Sequence, residues 1–153
     1  MKIKVIAVGK IKEKYFTDAI LEYEKRLNAL CDLNLIEVKE VNTNDINKNK
    51  LEEAKNILAK VDDNDYVITL EVKGVALDSL KLADFIKNYY TFSPKTLTFV
   101  IGGSDGLDDS VISVSKLHLS FSDFTFPHQL MRVILLEQIY RSMMIINNKP
   151  YHK

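Results

Sequence analysis

The sequence predicts an α/β fold, built on a mainly parallel sheet with flanking helices. Three observations support this class. Short segments rich in β-branched residues recur along the chain, segments with apolar residues at helical spacing lie between them, and neither a repeat nor a linker interrupts the alternation. Strands separated by helices pair in parallel, because the helix carries the chain back to the edge where the previous strand began. With 153 residues, the chain is expected to form one domain over 1–153.

The first half of the chain alternates strand and helix twice. Ile3, Val5 and Ala7 alternate with their neighbours and predict a strand that ends at Gly9. Apolar residues at helical spacing predict a helix over 13–30 and a short amphipathic helix over 51–61. Alternating apolar residues predict a strand over 33–41 between them. The asparagine-rich stretch 42–49 predicts an exposed loop.

The second half continues the same alternation. Asp78 is a candidate N-cap for a helix that extends to Tyr89, and Asp108 precedes a short helix. The remaining predicted elements are strands over 65–72, 96–103 and 117–122 and a long final helix over 128–146.

Bulk composition favours an ordinary cytoplasmic domain. Cys31 is the one cysteine, which excludes an internal disulfide framework. The first residues lack the basic, apolar and small-residue pattern of a signal peptide. The apolar run 133–136 is interrupted at Glu137, too early for a membrane span, so no membrane partner is expected.

The charge distribution leaves room for a nucleic-acid partner although the formal net charge is zero. Residues 1–30 and 124–153 each carry a surplus of three basic side chains, whereas the middle of the chain is acidic. Phosphates favour basic partners, and the two basic ends supply a local patch. Ordinary solvated surface charge explains the same pattern, and the charges taken alone slightly favour that interpretation.

The final helix is apolar around most of its circumference, which is typical of a helix covered on more than one side. A second copy of the chain or a central position within one subunit explains this pattern equally well. Glu137 and Arg141 are spaced to pair along the helix.

Two loops are candidates for ligand binding. "IGGSDG" places Gly102, Gly103 and Gly106 directly after a strand, where ligands bind in open α/β sheets, although a tight turn needs the same residues. The dinucleotide pattern G-x-G-x-x-G and the phosphate loop G-x-x-x-x-G-K-[ST] are both absent. In "FSDFTF" (121–126), polar side chains interleave with aromatic ones, which suits a planar ligand with polar ends.

Ionisable side chains gather in the final helix and in the closing "PYHK". Arginine can hold a phosphate with two hydrogen bonds, and histidine exchanges protons near neutral pH. Pro150 is predicted to end the helix and to hold the last residues in place. No H-E-x-x-H, C-x-x-C or nucleophile elbow occurs, so no metal and no covalent catalysis are expected.

The segments "IAVGK", "ITLEVKG", "FVIGGSDGL", "LSFSDFTFPHQLMRVILLEQIYRS" and "PYHK" together resemble the RlmH family of SPOUT, or α/β-knot, methyltransferases, along essentially the whole chain. The resemblance implies a C-terminal trefoil knot, a homodimer, and S-adenosylmethionine as cofactor. It also implies methylation of N3 of a pseudouridine in 23S ribosomal RNA within the ribosome. The matching cofactor-binding residues are Leu70, Gly102, Gly103, Phe121, Ser122, Asp123, Phe124, Thr125 and Phe126.

The chemistry of this reaction suggests roles for the ionisable side chains. N3 of a pseudouridine is a weakly acidic imide, so methyl transfer needs positioning, charge stabilisation and at most one general base. Tyr151 or His152 is expected to handle the proton or position the base, and Arg132 and Arg141 to face RNA or an oxyanion. His128 is expected to stabilise a loop and Glu137 to pair with an arginine. A nucleotide-binding module without catalysis and a purely structural dimer are the alternative functions.

Overall fold

The chain folds around a five-stranded parallel sheet, and the computed structural model describes residues 1–153. The strands are β1 (Lys2–Val8), β2 (Asp32–Val38), β3 (Tyr66–Ala76), β4 (Leu97–Ile101) and β5 (Leu117–Ser120). The helices are α1 (Lys14–Asn28), α2 (Ile46–Leu58), α3 (Ser79–Phe92), α4 (Asp109–Ile112) and α5 (His128–Ile146). The predicted α/β class and the alternation of strand and helix are confirmed.

The strand order across the sheet is β2-β1-β4-β3-β5, and every neighbouring pair is parallel. All five strands therefore end at one edge, called here the carboxyl edge, where the loops after each strand gather. Ligands bind at this edge in open parallel sheets. The strand order is compatible with the trefoil knot that the family resemblance implies, and the knot itself stays a prediction.

Successive side chains of the strands point to opposite faces of the sheet and belong to two hydrophobic clusters, one on each face. Ile3, Val5 and Ala7 of β1 join α1, α3 and α5 in the larger cluster. Ile6 and Val8 join α2 and α4 in the smaller one. A sheet covered on both faces requires nearly continuous apolar strands, which is why apolar residues dominate β1 and β4. None of the helices is long and apolar enough to span a membrane.

The predicted loop over 42–49 is wrong in its second half, because α2 begins at Ile46. The Asp45 side chain accepts a hydrogen bond from the Lys48 backbone N–H at 3.1 Å and so caps the helix. Asn49 is buried in the first turns, where its side chain holds Thr43 through hydrogen bonds in both directions. These asparagine and aspartate side chains serve as capping groups, and they do not mark open loop.

The third strand extends beyond the predicted 65–72 and contains a bulge of four residues. Leu70 and Val75 both pair with Leu119 of β5, so residues 71–74 have no counterpart on the neighbouring strand. Gly74 permits the return of the chain, since a Cβ there would lie 2.5 Å from the His118 carbonyl oxygen. The segment 71–74 is called the β3 bulge below.

The final helix ends at Ile146, which confirms the predicted range 128–146, but Asn147 and Asn148 end it before Pro150 is reached. Asn148 adopts a left-handed conformation with φ of 53°. The Lys149 N–H donates to the Met144 carbonyl at 2.9 Å, and the Asn148 N–H donates to the Ile145 carbonyl at 3.0 Å. These two bonds form a Schellman motif, which satisfies the last carbonyls of the helix and reverses the chain. The closing residues are thus directed back along α5 by the two asparagines.

Candidate functional site

A cleft of about 770 Å³ opens at the carboxyl edge of the sheet. Its volume lies within the range of small-molecule sites. It is lined by the end of β3 with its bulge, the loop after β4, the loop between β5 and α5, and the start of α5. Eight of the nine predicted cofactor-binding residues lie on its wall, namely Leu70, Gly102, Gly103, Phe121, Ser122, Phe124, Thr125 and Phe126.

The glycine turn after β4 forms one wall of the cleft, and each of its glycines has a steric reason. A Cβ on Gly102 would lie 3.0 Å from the Gly106 backbone, and one on Gly103 would lie 3.1 Å from Val8 Cγ1. Gly106 has a φ of 82°, which side chains disfavour. The turn is therefore a cradle of bare backbone that a ligand can approach closely.

The loop between β5 and α5 forms the opposite wall. Phe121 packs against the larger hydrophobic cluster, whereas Phe124 is 78% exposed beside the cleft. The Ser122 hydroxyl accepts a hydrogen bond from the Phe124 N–H at 3.0 Å and fixes the turn. Asp123 is exposed and does not line the cleft, so its side chain is placed apart from the other eight predicted residues.

A polar network that the sequence analysis missed adjoins the cleft at the β3 bulge. Glu71 lines the cleft, and its Oε1 accepts hydrogen bonds from Thr69 Oγ1 at 2.5 Å and from His118 Nδ1 at 2.7 Å. Thr69 is fully buried, and its N–H donates to the Ser115 hydroxyl at 3.2 Å. Thr69 and Glu71 lie two residues apart on one face of a strand, which the sequence shows, but their pairing with His118 required the sheet order.

Glu53 is a second feature that the sequence analysis missed. This α2 residue is 3% exposed and lies behind the glycine turn, where a Cβ on Gly103 would come 3.4 Å from its Oε2. Oε1 accepts a hydrogen bond from the Val41 N–H at 3.0 Å, but buried Oε2 has no partner. Burial raises the pKa of the Glu53 carboxyl, and the nearby charges of Glu40 and Asp105 raise it further.

His128 begins α5 and lines the cleft, half-buried. It makes no hydrogen bond to the loop that it was expected to stabilise, so its ring nitrogens are free to meet a ligand.

Arg132 is placed differently from the expected RNA-facing position. It is 5% exposed, and its guanidinium donates to the Glu37 carboxylate at 2.6 Å and to the carbonyls of Val8 and Gly9 at 2.7 and 2.5 Å. These contacts tie α5 to the ends of β1 and β2. Within the subunit, Arg132 therefore holds the carboxyl edge together and does not reach solvent.

The remaining predicted residues form a compact tail cluster, defined as Glu137, Arg141, Tyr151 and His152. Arg141 pairs with Glu137 at 2.6 Å, which confirms the predicted pairing, and its guanidinium lies 4.7 Å from the Tyr151 ring centroid. The Tyr151 hydroxyl donates to Glu137 at 3.1 Å, and Arg141 donates to His152 Nδ1 at 3.3 Å. The C-terminus is thus held in place and is not frayed.

The ionisation of Tyr151 limits what it can do. Burial raises the pKa of its hydroxyl to about 12, and neighbouring Tyr23 and Glu137 act in the same direction. A phenol that keeps its proton at neutral pH is a hydrogen-bond donor and not a general base. Of the two residues expected to handle a proton, His152 is the better suited.

The tail cluster and the cleft do not meet within one subunit. His128 borders the cleft at the first residue of α5, and Arg141 lies about 20 Å further along the helix, at about 1.5 Å per residue. The structure therefore brings together the predicted cofactor-binding residues, and separately the predicted catalytic residues of the tail.

The structure offers little support for covalent catalysis by the chain. Burial raises the pKa of the Cys31 thiol to about 11, which keeps it protonated and unreactive at neutral pH. No group of three or more histidine, cysteine, aspartate or glutamate side chains is arranged to hold a metal ion.

Comparisons with known proteins identify the family to which the chain belongs. A family model described as "Predicted SPOUT methyltransferase" matches residues 1–152. Over the full length of both chains, the protein is 54% identical to ribosomal RNA large subunit methyltransferase H of Finegoldia magna and 46% identical to that of Pediococcus pentosaceus. A solved structure, a probable methylase family protein from Haemophilus influenzae, matches with a TM-score of 0.60 at 14% identity, over 99% of this chain and 70% of that chain. This last likeness concerns the fold alone.

Proposed function

The chain belongs to the SPOUT methyltransferase family, and from this premise we propose that it transfers a methyl group from S-adenosylmethionine to N3 of a pseudouridine in 23S ribosomal RNA. The observation that carries the proposal is the cleft at the carboxyl edge, which gathers eight of nine expected cofactor-binding residues from three separate segments. Full-length relatives named ribosomal RNA large subunit methyltransferase H support the RNA substrate. The ribosome is the proposed context of the reaction.

The walls of the cleft fit an adenosyl ligand. The bare backbone at Gly102 and Gly103 allows close approach, and Phe121 and Phe126 supply apolar surface for a planar base. Ser122 and Thr125 add hydroxyl groups beside them. When S-adenosylmethionine is bound, its sulfonium supplies an activated methyl group. These cleft residues bind and orient the adenosyl group and exclude water around it.

The side chains of the protein then have to position the substrate and transfer a proton. N3 must lose its proton for the methyl group to be accepted, and one general base suffices. His152 is proposed as that base or as the group that positions it. Arg141 is proposed to stabilise negative charge on the pyrimidine oxygens, since the Glu137 carboxylate and the Tyr151 ring hold its guanidinium in place. Arg132 supports the site from the interior, through the ends of β1 and β2.

A homodimer is proposed because it brings a tail cluster to a cleft. The inner face of α5 is buried in its own subunit, but Leu130, Val133 and Ile134 on the outer face are only partly covered, as are Met144 and Ile145. These residues recur at helical spacing and form an apolar stripe that flanks Glu137 and Arg141. Packing of α5 against a second copy covers the stripe and carries the partner's tail toward the cleft.

The test is methyl transfer from labelled S-adenosylmethionine to ribosomes from a strain that lacks the enzyme, with the modified base identified by mass spectrometry. His152→Ala is expected to retain cofactor affinity and to lower methyl transfer about 100-fold or more, as loss of a general base does. Asp63→Asn, an exposed change at the opposite edge of the sheet, is the control.

Three results would count against the proposal. Calorimetry that finds binding of ATP or NAD but not of S-adenosylmethionine would favour a nucleotide-binding module. A label on any base other than a pseudouridine would overturn the substrate. Unchanged turnover by His152→Ala on ribosomes would remove His152 from the mechanism, while the cofactor assignment would stand.

A further inference from the structure

Glu71 is the only carboxylate among the residues that line the cleft. The other ionisable side chains on the wall are Lys73 and His128. The Glu71 side chain is 23% exposed, so it is neither a solvated surface acid nor a buried one. A charged carboxylate in a mostly apolar cleft costs free energy unless neighbouring groups stabilise it. The extra residues 71–74 of the β3 bulge set the position of Glu71.

Two donors hold one oxygen of this carboxylate and leave the other free. Oε1 accepts from the Thr69 hydroxyl at 2.5 Å and from His118 Nδ1 at 2.7 Å. A carboxylate only accepts, so this contact places a proton on His118 Nδ1. Oε2 makes no hydrogen bond within the protein and is not buried. The carboxylate is thus fixed in orientation and has an acceptor left for a ligand.

We propose that Glu71 is a binding residue of the cleft that accepts hydrogen bonds from the ribose hydroxyls of the adenosyl ligand, and that His118 and Thr69 position it. This inference rests on the proposed function. A fixed carboxylate is the group that other nucleotide-binding folds use for ribose hydroxyls. A carboxylate directed at the sulfonium would stabilise the charged ground state, whose charge is lost as the methyl group leaves. Ribose hydroxyls are unchanged by the reaction, so binding them acts on substrate and product alike.

The Gly74 backbone explains why the positioning is rigid. A Cβ at Gly74 would lie 2.5 Å from the His118 carbonyl oxygen, so the bulge packs directly on the residue that orients Glu71. The Ser120 hydroxyl donates to the Val72 carbonyl at 2.9 Å and ties the middle of the bulge to β5. The binding acid and its positioning histidine are therefore held on adjoining strands with little freedom to separate.

Calorimetry with S-adenosylhomocysteine, its 2′,3′-dideoxy form and S-adenosylmethionine tests the inference on the full chain. Glu71→Gln is expected to weaken S-adenosylhomocysteine and S-adenosylmethionine equally, by about 10- to 100-fold, as loss of a charge-assisted hydrogen bond does. The unaltered protein should bind the dideoxy ligand more weakly than S-adenosylhomocysteine by a similar factor. Glu71→Gln should weaken binding of the dideoxy ligand little further. Asp63→Asn is the matched control for removal of one negative charge.

The positioning role of His118 has its own readout. His118→Leu is expected to weaken binding about 2- to 10-fold, because it removes one hydrogen bond to Glu71. His118→Asn should recover most of that loss, since its amide nitrogen can take the place of Nδ1. In ribosome assays, both Glu71→Gln and His118→Leu should raise KM for S-adenosylmethionine and leave kcat unchanged.

Each contrary result has a distinct meaning. If the unaltered protein binds neither adenosyl ligand, the proposed function fails and the inference fails with it. If it binds both and Glu71→Gln binds them equally well, the inference alone is overturned. If Glu71→Gln weakens S-adenosylmethionine but not S-adenosylhomocysteine, the carboxylate faces the sulfonium and the ribose assignment is wrong. The dideoxy ligand needs no variant, so even if Glu71→Gln fails to fold, equal affinity of the unaltered protein for the dideoxy ligand and for S-adenosylhomocysteine would overturn the ribose assignment.

Discussion

Glu53, which lies behind the glycine turn, makes the free energy of unfolding depend on pH. Its carboxyl is buried with one oxygen unpartnered, and burial raises its pKa above the ordinary value of 4.5. In the unfolded chain the group loses its proton at the ordinary pKa, whereas the folded protein retains it to higher pH. Between those two pKa values the folded state binds more protons, so the free energy of unfolding falls as pH rises. At pH values above the pKa of the folded state, the free energy of unfolding falls no further on account of Glu53.

Glu53→Gln is therefore expected to raise the melting temperature at pH 7 to 8, because it removes a buried charge that has no ion-pair partner and has one unpartnered oxygen. The gain should shrink toward zero below the ordinary pKa of 4.5, where Glu53 is protonated in both states. Thermal unfolding from pH 4 to pH 8 checks this. Glu52→Gln, which alters a surface pair with Lys55, is the control and should change stability by less than about 0.5 kcal/mol. A gap between variant and parent that is independent of pH would contradict the assignment.

Single residues were predicted well where local chemistry decides their place, and less well where distant segments do. Asp78 caps α3 through a hydrogen bond to the Lys81 N–H, as its position before an apolar periodic segment predicts. Arg132 looks like a surface arginine in sequence, but its partners come from the ends of β1 and β2. Only the sheet order brings those carbonyls to α5, so no local pattern could have identified its burial.

At the scale of an element, the β3 bulge is the feature on which the cleft most depends. Gly74→Ala should destabilise the protein by about 1–3 kcal/mol or more, because a methyl group at 2.5 Å from the His118 carbonyl forces the strands apart. It should also weaken S-adenosylhomocysteine binding, since Glu71 moves with the bulge. Urea unfolding and calorimetry measure the two effects.

Val75→Ala is the matched control for this prediction. Val75 lies on the same strand and is 54% exposed, so its truncation should cost about 0.5 kcal/mol or less. Equal stability of Gly74→Ala and Val75→Ala would show that the two strands can separate at no cost, and that the bulge does not hold the cleft wall.

Elements were predicted correctly in kind and order because the period of apolar residues differs between helix and strand. The bulge escaped prediction because its evidence is a pairing register, in which Leu70 and Val75 share Leu119. The early start of α2 escaped because Asn and Asp favour both loops and helix caps, and only the hydrogen bond from Lys48 N–H distinguishes them. The glycine turn and the aromatic loop were found in advance because both directly follow strands.

At the scale of the whole molecule, the separation of cleft and tail cluster predicts complementation between subunits. Gly103→Val should distort the cleft wall, because its side chain would meet Val8 and Glu53 behind the glycine turn and displace the turn. His152→Ala should disable the tail. If each site combines the cleft of one subunit with the tail of the other, refolding the two variants together restores one site in every mixed dimer. A 1:1 mixture should then recover about a quarter of the parental methyl transfer, because half of the dimers are mixed.

The variants refolded separately provide the baseline, and circular dichroism checks that each one folds. A mixture no more active than its components would mean that each site is built within one subunit. Analytical ultracentrifugation of the unaltered chain tests the dimer directly, and a monomer at micromolar concentration would contradict it. The sequence could not decide this point, since an all-round apolar helix fits both a central position and a partner, and α5 combines a buried inner face with a partly covered outer one.

The sheet order also governs how the chain folds during its synthesis. β1 ends at Val8, yet its neighbour β4 begins only at Leu97, and the buried residues that α5 adds to the larger cluster end at Met143. A nascent chain can pair β1 with β2 on one side, but the other side of β1 stays unpaired until about two thirds of the chain has been made, and the core stays open until the last helix is released. Exposed strands and apolar surface of this kind need protection from aggregation. A protein proposed to act on ribosomes thus completes its own fold only after it has left one.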